Sequence, residues 1–186
     1  MDAFSYLSVL FSIILGLAIT QILQGYRAML FARHRVALHG PTLFWSVIVL
    51  LVATQIWWSS FGLAGVHGWT FFNFAVLLLQ TILLYMMAGV VLPDIPEDAM
   101  VDLEAHYRRE ITPFFLLLLA MLATSVTKDL LRDGHLPATE NLAFHGAFAA
   151  VAILALANRR RWLHAIIAPT GLAGLLAYIG LLFARL

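Results

Sequence analysis

The chain contains no cysteine and very little charge. Without cysteine it has no disulfides, no thiolate nucleophile and no sulfur ligand for a metal. Only 11% of its residues are charged, whereas a soluble domain has roughly 25%. A chain of 186 residues with so few charges and 62% hydrophobic residues cannot cover a water-facing surface. The composition therefore excludes a soluble globular domain and predicts a surface that faces lipid.

The chain also lacks the sequence signatures of common enzyme classes. It has no G-x-S-x-G, no H-E-x-x-H and no P-loop. Ser125 and His145 lie at similar predicted depth and are a conceivable nucleophile and base, but nothing in their spacing argues for that pair. No Asp, Glu, Lys or Arg lies deep in an apolar segment, so proton relays and charge-driven pumps lack their usual residues. These absences favour a non-enzymatic protein.

Six apolar segments are long enough to cross the ~30 Å of hydrocarbon in a bilayer. They predict an all-α membrane bundle of six transmembrane helices, which forms a single integral membrane domain over residues 1–186. The first segment lacks the positive n-region and the A-x-A-like end of a signal peptide, so we expect it to be retained. The six segments cover residues 4–26, 42–63, 69–92, 111–127, 141–158 and 163–184.

The basic residues predict the orientation in the bilayer. Because Lys and Arg accumulate on the cytoplasmic side of short loops, we expect the loops after helices one, three and five in the cytoplasm and both termini outside. The run at 159–161 is interpreted as part of this topology signal. A site for lipid headgroups or for nucleic acid is the alternative interpretation. We do not expect nucleic acid as a partner of the protein. Eight of the eleven Lys and Arg residues lie beside these three loops: Arg27, Arg33, Arg35, Arg108, Arg109, Arg159, Arg160 and Arg161.

Small and polar residues form one stripe along the first helix. A residue recurs on the same face every fourth position, and small side chains let a second helix approach closely in lipid. We therefore interpret the first helix as the inner post of the bundle. We expect the protein to lie in the lipid bilayer. We also expect it to form a homo-oligomer or to bind a membrane partner. The stripe consists of Ser8, Ser12, Gly16, Thr20 and Gln24.

Several further polar residues lie within the predicted spans. An amide that faces lipid would leave hydrogen-bonding groups unsatisfied at a cost of a few kcal/mol, so these residues should turn inward. They either bond between helices, at about 0.6 kcal/mol each, or line a polar seam between helices one to three that binds or conducts a small solute or ion. A structural or regulatory module that acts by helix association is the alternative function. The residues are Thr20, Gln21, Thr54, Gln55, Asn73 and Gln80.

The connections and the last helix carry local signals. Asp94 and Glu97 resemble a capping box, which predicts a short acidic amphipathic helix at about 96–109 that is ion-paired to the Arg-rich loops. The segment 128–140 contains Gly134 as a helix C-cap and is interpreted as a connector without chemistry of its own. In helix six, three residues predict a kink or a short unwound segment: Pro169, Gly171 and Gly174.

Two groups of residues have the types that bind a metal or a haem. His145 lies inside a span, and His67 or His135 could reach it from a loop. Asp98, Asp102 and His106 recur at helical spacing and could hold a divalent cation. No cofactor is predicted from these residues, since a solvated helix face and a hydrogen-bonded core histidine are the favoured interpretations; a haem or a divalent metal stays open as a weaker alternative.

Aromatic residues are placed where the two membrane–water interfaces are expected. Trp57, Trp58 and Trp69 lie near the outer ends of the predicted helices, and Trp45 and Trp162 lie near the inner ends. Amphipathic rings favour the headgroup level. The pattern therefore predicts two interfacial belts.

Overall fold

The structure is a computed structural model that describes residues 3–65, 68–96 and 98–182. This part of the chain contains six helices that are long and apolar enough to cross a membrane, which confirms the predicted all-α six-helix bundle. A short 3-10 helix, Ser60–Leu63, continues the second helix. The helices are α1 (Ala3–Phe31), α2 (Gly40–Ser59), α3 (Phe71–Val91), α4 (Leu103–Asp133), α5 (Thr139–Ala157) and α6 (Arg161–Leu182).

Local chemistry sets several helix ends. Pro41 lies in the first turn of α2, where its missing N–H leaves no extra donor unpaired. The Thr70 side chain accepts a hydrogen bond from Asn73 N at the start of α3. Gly134 ends α4 with a φ of 73°, a left-handed conformation that glycine adopts without steric cost. The predicted C-cap at Gly134 is confirmed.

The helices are arranged so that α2 has the most neighbours. It contacts α1, α3, α4 and α6, while α3 packs on α4, α4 on α5 and α5 on α6. The prediction that the first helix is the inner post is wrong, because the main neighbours of α1 are only α2 and α3. Its large side chains Phe11, Leu15 and Ile22 are buried, and large apolar side chains gain the most dispersion energy from packing.

Three of the five stripe residues on α1 point away from the rest of the bundle. Gly16, Thr20 and Gln24 are exposed, whereas Ser8 and Ser12 are partly covered by this chain. An added Cβ at Gly16 would meet nothing within 4 Å. Among the described residues, the part of the stripe from Gly16 to Gln24 is therefore left uncovered by the other helices.

Three connections meet at one end of the bundle, as the predicted topology requires. A two-residue strand β1 (Val36–Ala37) pairs in parallel with β2 (Val101–Asp102), which joins the α1–α2 and α3–α4 connections. Arg161, at the start of α6, pairs with Glu104 at 2.8 Å, so the predicted ion pairing between the acidic segment and the Arg-rich loops is confirmed at this position. We call this end of the bundle the basic end.

The acidic segment at 96–109 does not form a helix of its own in the described residues. The chain is irregular from Pro93 to Pro96, and α4 begins at Leu103 and runs without a break to Asp133. The pairing of β2 with β1 keeps residues 101–102 extended, so the helix starts after Asp102. The Asp102 carboxylate accepts hydrogen bonds from Glu104 N and Ala105 N, and Glu97 lies outside the described residues.

Two other expectations about helix ends and breaks differ from the structure. The segment 128–140 is not only a connector, since its first six residues form the last turns of α4. Helix α6 continues through Pro169 and Gly174 without an unwound segment, whereas the alternative, a kink at these residues, stays a prediction. Gly171 is buried against α2, where an added Cβ would lie 3.4 Å from the Trp45 ring; this glycine allows α6 and α2 to approach closely.

Candidate functional site

A cavity of about 70 Å³ lies inside the bundle among α2, α3, α4, α5 and α6. Its polar lining comes from five helices, because each of them turns one polar residue inward at a similar depth. Apolar residues such as Trp45, Ile48 and Leu118 complete the wall. The polar lining consists of Gln55, Gln80, Ser125, His145 and Tyr178.

A second cavity of about 160 Å³ continues from the first toward the α4–α5 connection. The two cavities share Gln55, Ile56, Gln80, Ser125 and Tyr178, so we treat them as one space and call it the chamber. The outer part of the chamber is more polar than the inner part. Its further polar lining consists of Ser59, Ser60, Lys128, Asp129, Arg132 and Asn141.

Gln80 Oε1 and Trp45 Nε1 are buried atoms of chamber-lining residues that have no hydrogen-bond partner among the described residues. Gln80 supplies the acceptor of the two. Its side chain is 4% exposed, and no donor in the described part of the chain reaches its Oε1 atom. A buried acceptor without a partner costs about 1–3 kcal/mol. A cavity needs only ~10–15 Å³ to hold one water, so the chamber has room for a molecule that donates this missing hydrogen bond.

Hydrogen bonds to Asn141 fix two further polar groups of the chamber, Tyr178 and His145. The Tyr178 hydroxyl donates to Asn141 Oδ1 at 3.0 Å. His145 Nδ1 lies 2.9 Å from the Asn141 carbonyl oxygen, and a carbonyl only accepts, so Nδ1 carries the proton. In the neutral ring, Nε2 of His145 is then an acceptor. The inner chamber therefore presents acceptors at Gln80 and His145.

The outer part of the chamber contains a compact ionic cluster. Asp129 is 8% exposed and lies 3.6 Å from both Lys128 Nζ and an Arg132 guanidinium nitrogen. Arg132 also makes a bidentate pair with Asp133. A buried carboxylate is tolerated when cations neutralise it. These charges make the chamber entrance hydrophilic.

Aromatic side chains close the chamber at its inner end. Trp45 lines the cavity and packs edge-on against Phe114 and Phe115, with ring centroids 5.4 and 5.1 Å apart. The prediction that Trp45 belongs to an interfacial belt is wrong, because the side chain is 1% exposed. Beyond this cluster, the Tyr107 hydroxyl bonds to His164 Nδ1 at 2.8 Å. The chamber is therefore closed toward the basic end.

The structure brings together two of the predicted seam residues and separates the others. Gln55 and Gln80 meet in the chamber, whereas Asn73 lines a small cavity of about 20 Å³ with Lys128 and Arg132. Thr54 is exposed and bonds to its own helix at Leu50 O. On α1, Gln21 is half-buried and Thr20 is exposed, and neither lines the chamber. The polar groups thus meet among α2 to α6 rather than between helices one to three.

Sequence reasoning did not identify the ionic and phenolic lining of the chamber. The interpretation of 128–140 as a connector overlooks Lys128, Asp129 and Arg132, and no sequence pattern predicts a role for Tyr178 or Asn141. A usable signal was present: Met121, Ser125, Lys128 and Arg132 are spaced by four, three and four residues. This spacing places them on one helix face and extends the inward face of α4 beyond its apolar segment.

The residues proposed for metal binding do not converge in the described ranges. His135 is exposed and bonds to Leu136 O, and His67 lies outside the described residues. Asp98 is exposed, Asp102 caps α4, and His106 is buried with Nε2 at 2.9 Å from Val90 O. No group of three or more His, Asp or Glu side chains in residues 3–65, 68–96 and 98–182 has the arrangement of a metal site.

Comparisons with known proteins do not indicate an activity for this chain. The chain matches no protein-family model, no curated protein and no solved structure. Its six long apolar helices indicate a multi-pass membrane protein.

Proposed function

We propose that this membrane protein binds a small polar solute in the chamber. The observation that carries the proposal is the buried Gln80 Oε1 atom, which lacks a donor among the described residues. A bound molecule with an N–H or O–H group would satisfy it, and buried polar groups are nearly always satisfied. The solute is therefore expected to carry at least one hydrogen-bond donor and to have only a few non-hydrogen atoms.

Binding from one end is better supported than conduction through the bundle. Trp45, Phe114 and Phe115 pack edge-on at the inner end of the chamber, which leaves no polar path toward the basic end. The entrance near Lys128 and Arg132 is lined by charged groups. The solute would enter and leave by this same entrance.

The charge distribution supports an orientation for the entrance. Eight of the eleven basic residues lie toward the basic end, opposite the α4–α5 connection. Because basic loops stay in the cytoplasm, the chamber would open on the other side of the membrane, where both termini would also lie. The solute would therefore be taken from outside the cytoplasm.

Saturation-transfer NMR with two probes of similar size tests the proposal. Acetamide has N–H donors, whereas acetone only accepts hydrogen bonds. The purified protein should bind acetamide more tightly than acetone, and Gln80→Leu should weaken acetamide binding by about tenfold or more, since the hydrogen bond to a buried acceptor is lost. Gln21→Leu is the matched control, because it removes an amide outside the chamber, and it should leave binding unchanged.

Three results would contradict the proposal. They are equal binding of the two probes, no binding of either probe, and acetamide binding that survives in a folded Gln80→Leu variant. Size-exclusion chromatography and the unfolding midpoint would show that each variant is folded.

A second candidate function is self-association through α1. The observation that favours it is the outward direction of Gly16, Thr20 and Gln24, opposite the buried side chains of the same helix. Small residues at helical spacing support close helix pairing in lipid. In this case the protein would act as a structural or regulatory membrane module, and the partner would be a second copy of the chain.

A further inference from the structure

A second cluster of polar and charged residues lies at the basic end, across the bundle from the chamber. It surrounds a small cavity of about 20 Å³ between the first turns of α4, the α5–α6 connection and the first turns of α6. Among the described residues, the lining contains the cations Arg108, Arg159 and Arg161 and a single carboxylate, Glu104. We call these three arginines the arginine site.

The single carboxylate cannot neutralise the arginine site. Glu104 Oε1 lies 2.8 Å from Arg161 Nε and 3.7 Å from an Arg108 nitrogen. Arg159 donates instead to the neutral Thr112 hydroxyl at 2.6 Å. Three guanidinium groups against one carboxylate leave two positive charges without a counter-charge in the cavity lining. A guanidinium group has five N–H donors, so most of them are not used by these contacts.

The two histidines that line the cavity are held by hydrogen bonds. His164 Nε2 donates to the Asn158 carbonyl oxygen at 3.0 Å, and His164 Nδ1 lies 2.8 Å from the Tyr107 hydroxyl. The Thr42 hydroxyl donates to Leu103 O, so His39 Nδ1 donates to Thr42 Oγ1 at 2.9 Å. Burial is the largest effect on the pKa of His39 and lowers it, which keeps this ring neutral at neutral pH.

The N-terminus of α6 also favours an anion at the arginine site. Helix α6 has 22 residues and begins at Arg161, and its first turn contains no acidic residue. The N-terminus of a helix carries a partial positive charge that attracts anions. The first turn of α4 differs, since Glu104 and the cap Asp102 already supply negative charge there.

We propose that the arginine site binds a phosphate group, supplied by an anionic phospholipid headgroup or by free phosphate. Guanidinium groups bind phosphate through paired, charge-assisted hydrogen bonds. The site lies where the transmembrane helices begin, which is the depth of lipid headgroups. Basic pockets between transmembrane helices on the cytoplasmic side are suited to such headgroups. Phosphate would occupy the space between the guanidinium groups and neutralise their excess charge.

Titration of the purified protein in neutral detergent tests this site. The probes are dioctanoyl phosphatidylglycerol, dioctanoyl phosphatidylcholine and inorganic phosphate, and the readout is the rise in unfolding temperature. Phosphatidylglycerol should stabilise the wild type at concentrations at which phosphatidylcholine does not. The Arg108→Gln and Arg159→Gln double variant should bind phosphatidylglycerol about tenfold more weakly or worse. Arg161 stays in place in this variant to keep Glu104 paired.

A matched double variant controls for net charge. Arg27→Gln with Arg33→Gln removes two exposed cations from the same end of the bundle but outside the arginine site, and it should bind like the wild type. If inorganic phosphate competes with phosphatidylglycerol, the site accepts free phosphate; if it does not, the acyl chains are required and the lipid is the ligand.

The proposal is overturned if phosphatidylglycerol and phosphatidylcholine act alike, or if the control variant loses as much affinity as the test variant. If the test variant does not fold, the single variant Arg159→Gln replaces it in the same comparison, because it changes only one exposed side chain. The result is independent of the chamber, because Gln80→Leu should leave phosphatidylglycerol binding intact.

Discussion

Thr42 is a fully buried hydroxyl that connects two helices. Its Oγ1 atom donates to Leu103 O at 3.2 Å and accepts from His39 Nδ1 at 2.9 Å. The first turn of α2 is thereby tied to the first turn of α4. Removal of the hydroxyl would leave one buried carbonyl and one ring N–H without partners.

Thr42→Val should therefore lower the free energy of unfolding by about 1–3 kcal/mol, the cost of leaving buried polar groups unpaired. The measurement is reversible unfolding in mixed detergent, followed by circular dichroism. Thr54→Val is the matched control, because Thr54 is exposed and bonds only to its own helix. Equal losses in the two variants would show that the link between α2 and α4 does not stabilise the protein.

The sequence identifies part of the chamber lining at the level of single residues. Gln55 and Gln80 are recognisable because an amide is costly to expose to acyl chains. Tyr178 and Asn141 are not, since a tyrosine or an asparagine near the end of a span is equally stable at the interface. Gln21 shows the limit of the rule, because this amide within α1 is half-buried and yet does not line the chamber.

At the level of helices, hydropathy locates the spans but not the full length of α4. Its apolar segment was predicted at 111–127, whereas the helix extends from Leu103 to Asp133. Charged residues at both ends lower the hydropathy of the sequence, while backbone hydrogen bonding continues outside the hydrocarbon. The extra turns matter, because they carry the ionic cluster at one end and Glu104 and Arg108 at the other.

The rotation of α1 was also not predictable from its sequence. One face carries Phe11, Leu15 and Ile22, and the opposite face carries Gly16 and Thr20. Lipid tails are as apolar as leucine, so no hydrophobic force decides which face turns inward. The choice depends on the shape of α2 and α3, which becomes visible only in the folded bundle.

Disulfide cross-linking tests whether α1 pairs with a second copy through its stripe. The chain has no cysteine, so a single Gly16→Cys variant has no competing thiol. It should form cross-linked dimers in membranes, since small residues let the two helices approach closely. Ile153→Cys, which is exposed on α5 and therefore outside the stripe, should cross-link much less. Equal cross-linking of both variants would mean random collision.

On the scale of the whole molecule, the two ends of the bundle differ in chemistry. One end carries the chamber entrance with Lys128, Asp129 and Arg132, and the other carries the arginine site. The aromatic cluster around Trp45 separates them. This asymmetry is the physical basis of our two proposals, solute binding at one membrane surface and phosphate binding at the other.

The sequence predicts which connections share a side but not which helices touch. Six successive crossings force the loops to alternate between the two sides, so the grouping of the α1–α2, α3–α4 and α5–α6 connections follows from counting. Neighbour relations such as the contact of α2 with α6 depend on local fit, for example at Gly171 and Trp45. No periodic pattern in the sequence encodes that fit.

The most direct test of the chamber is the reactivity of Ser125→Cys in proteoliposomes toward a charged, membrane-impermeant thiol reagent. Water in the chamber should let the thiol ionise and react, and only when the reagent is on the side of the α4–α5 connection. Ala123→Cys, two residues away on the uncovered face of α4, should stay unreactive in lipid. If Ser125→Cys is unreactive, or reacts equally from both sides, there is no one-sided hydrated chamber.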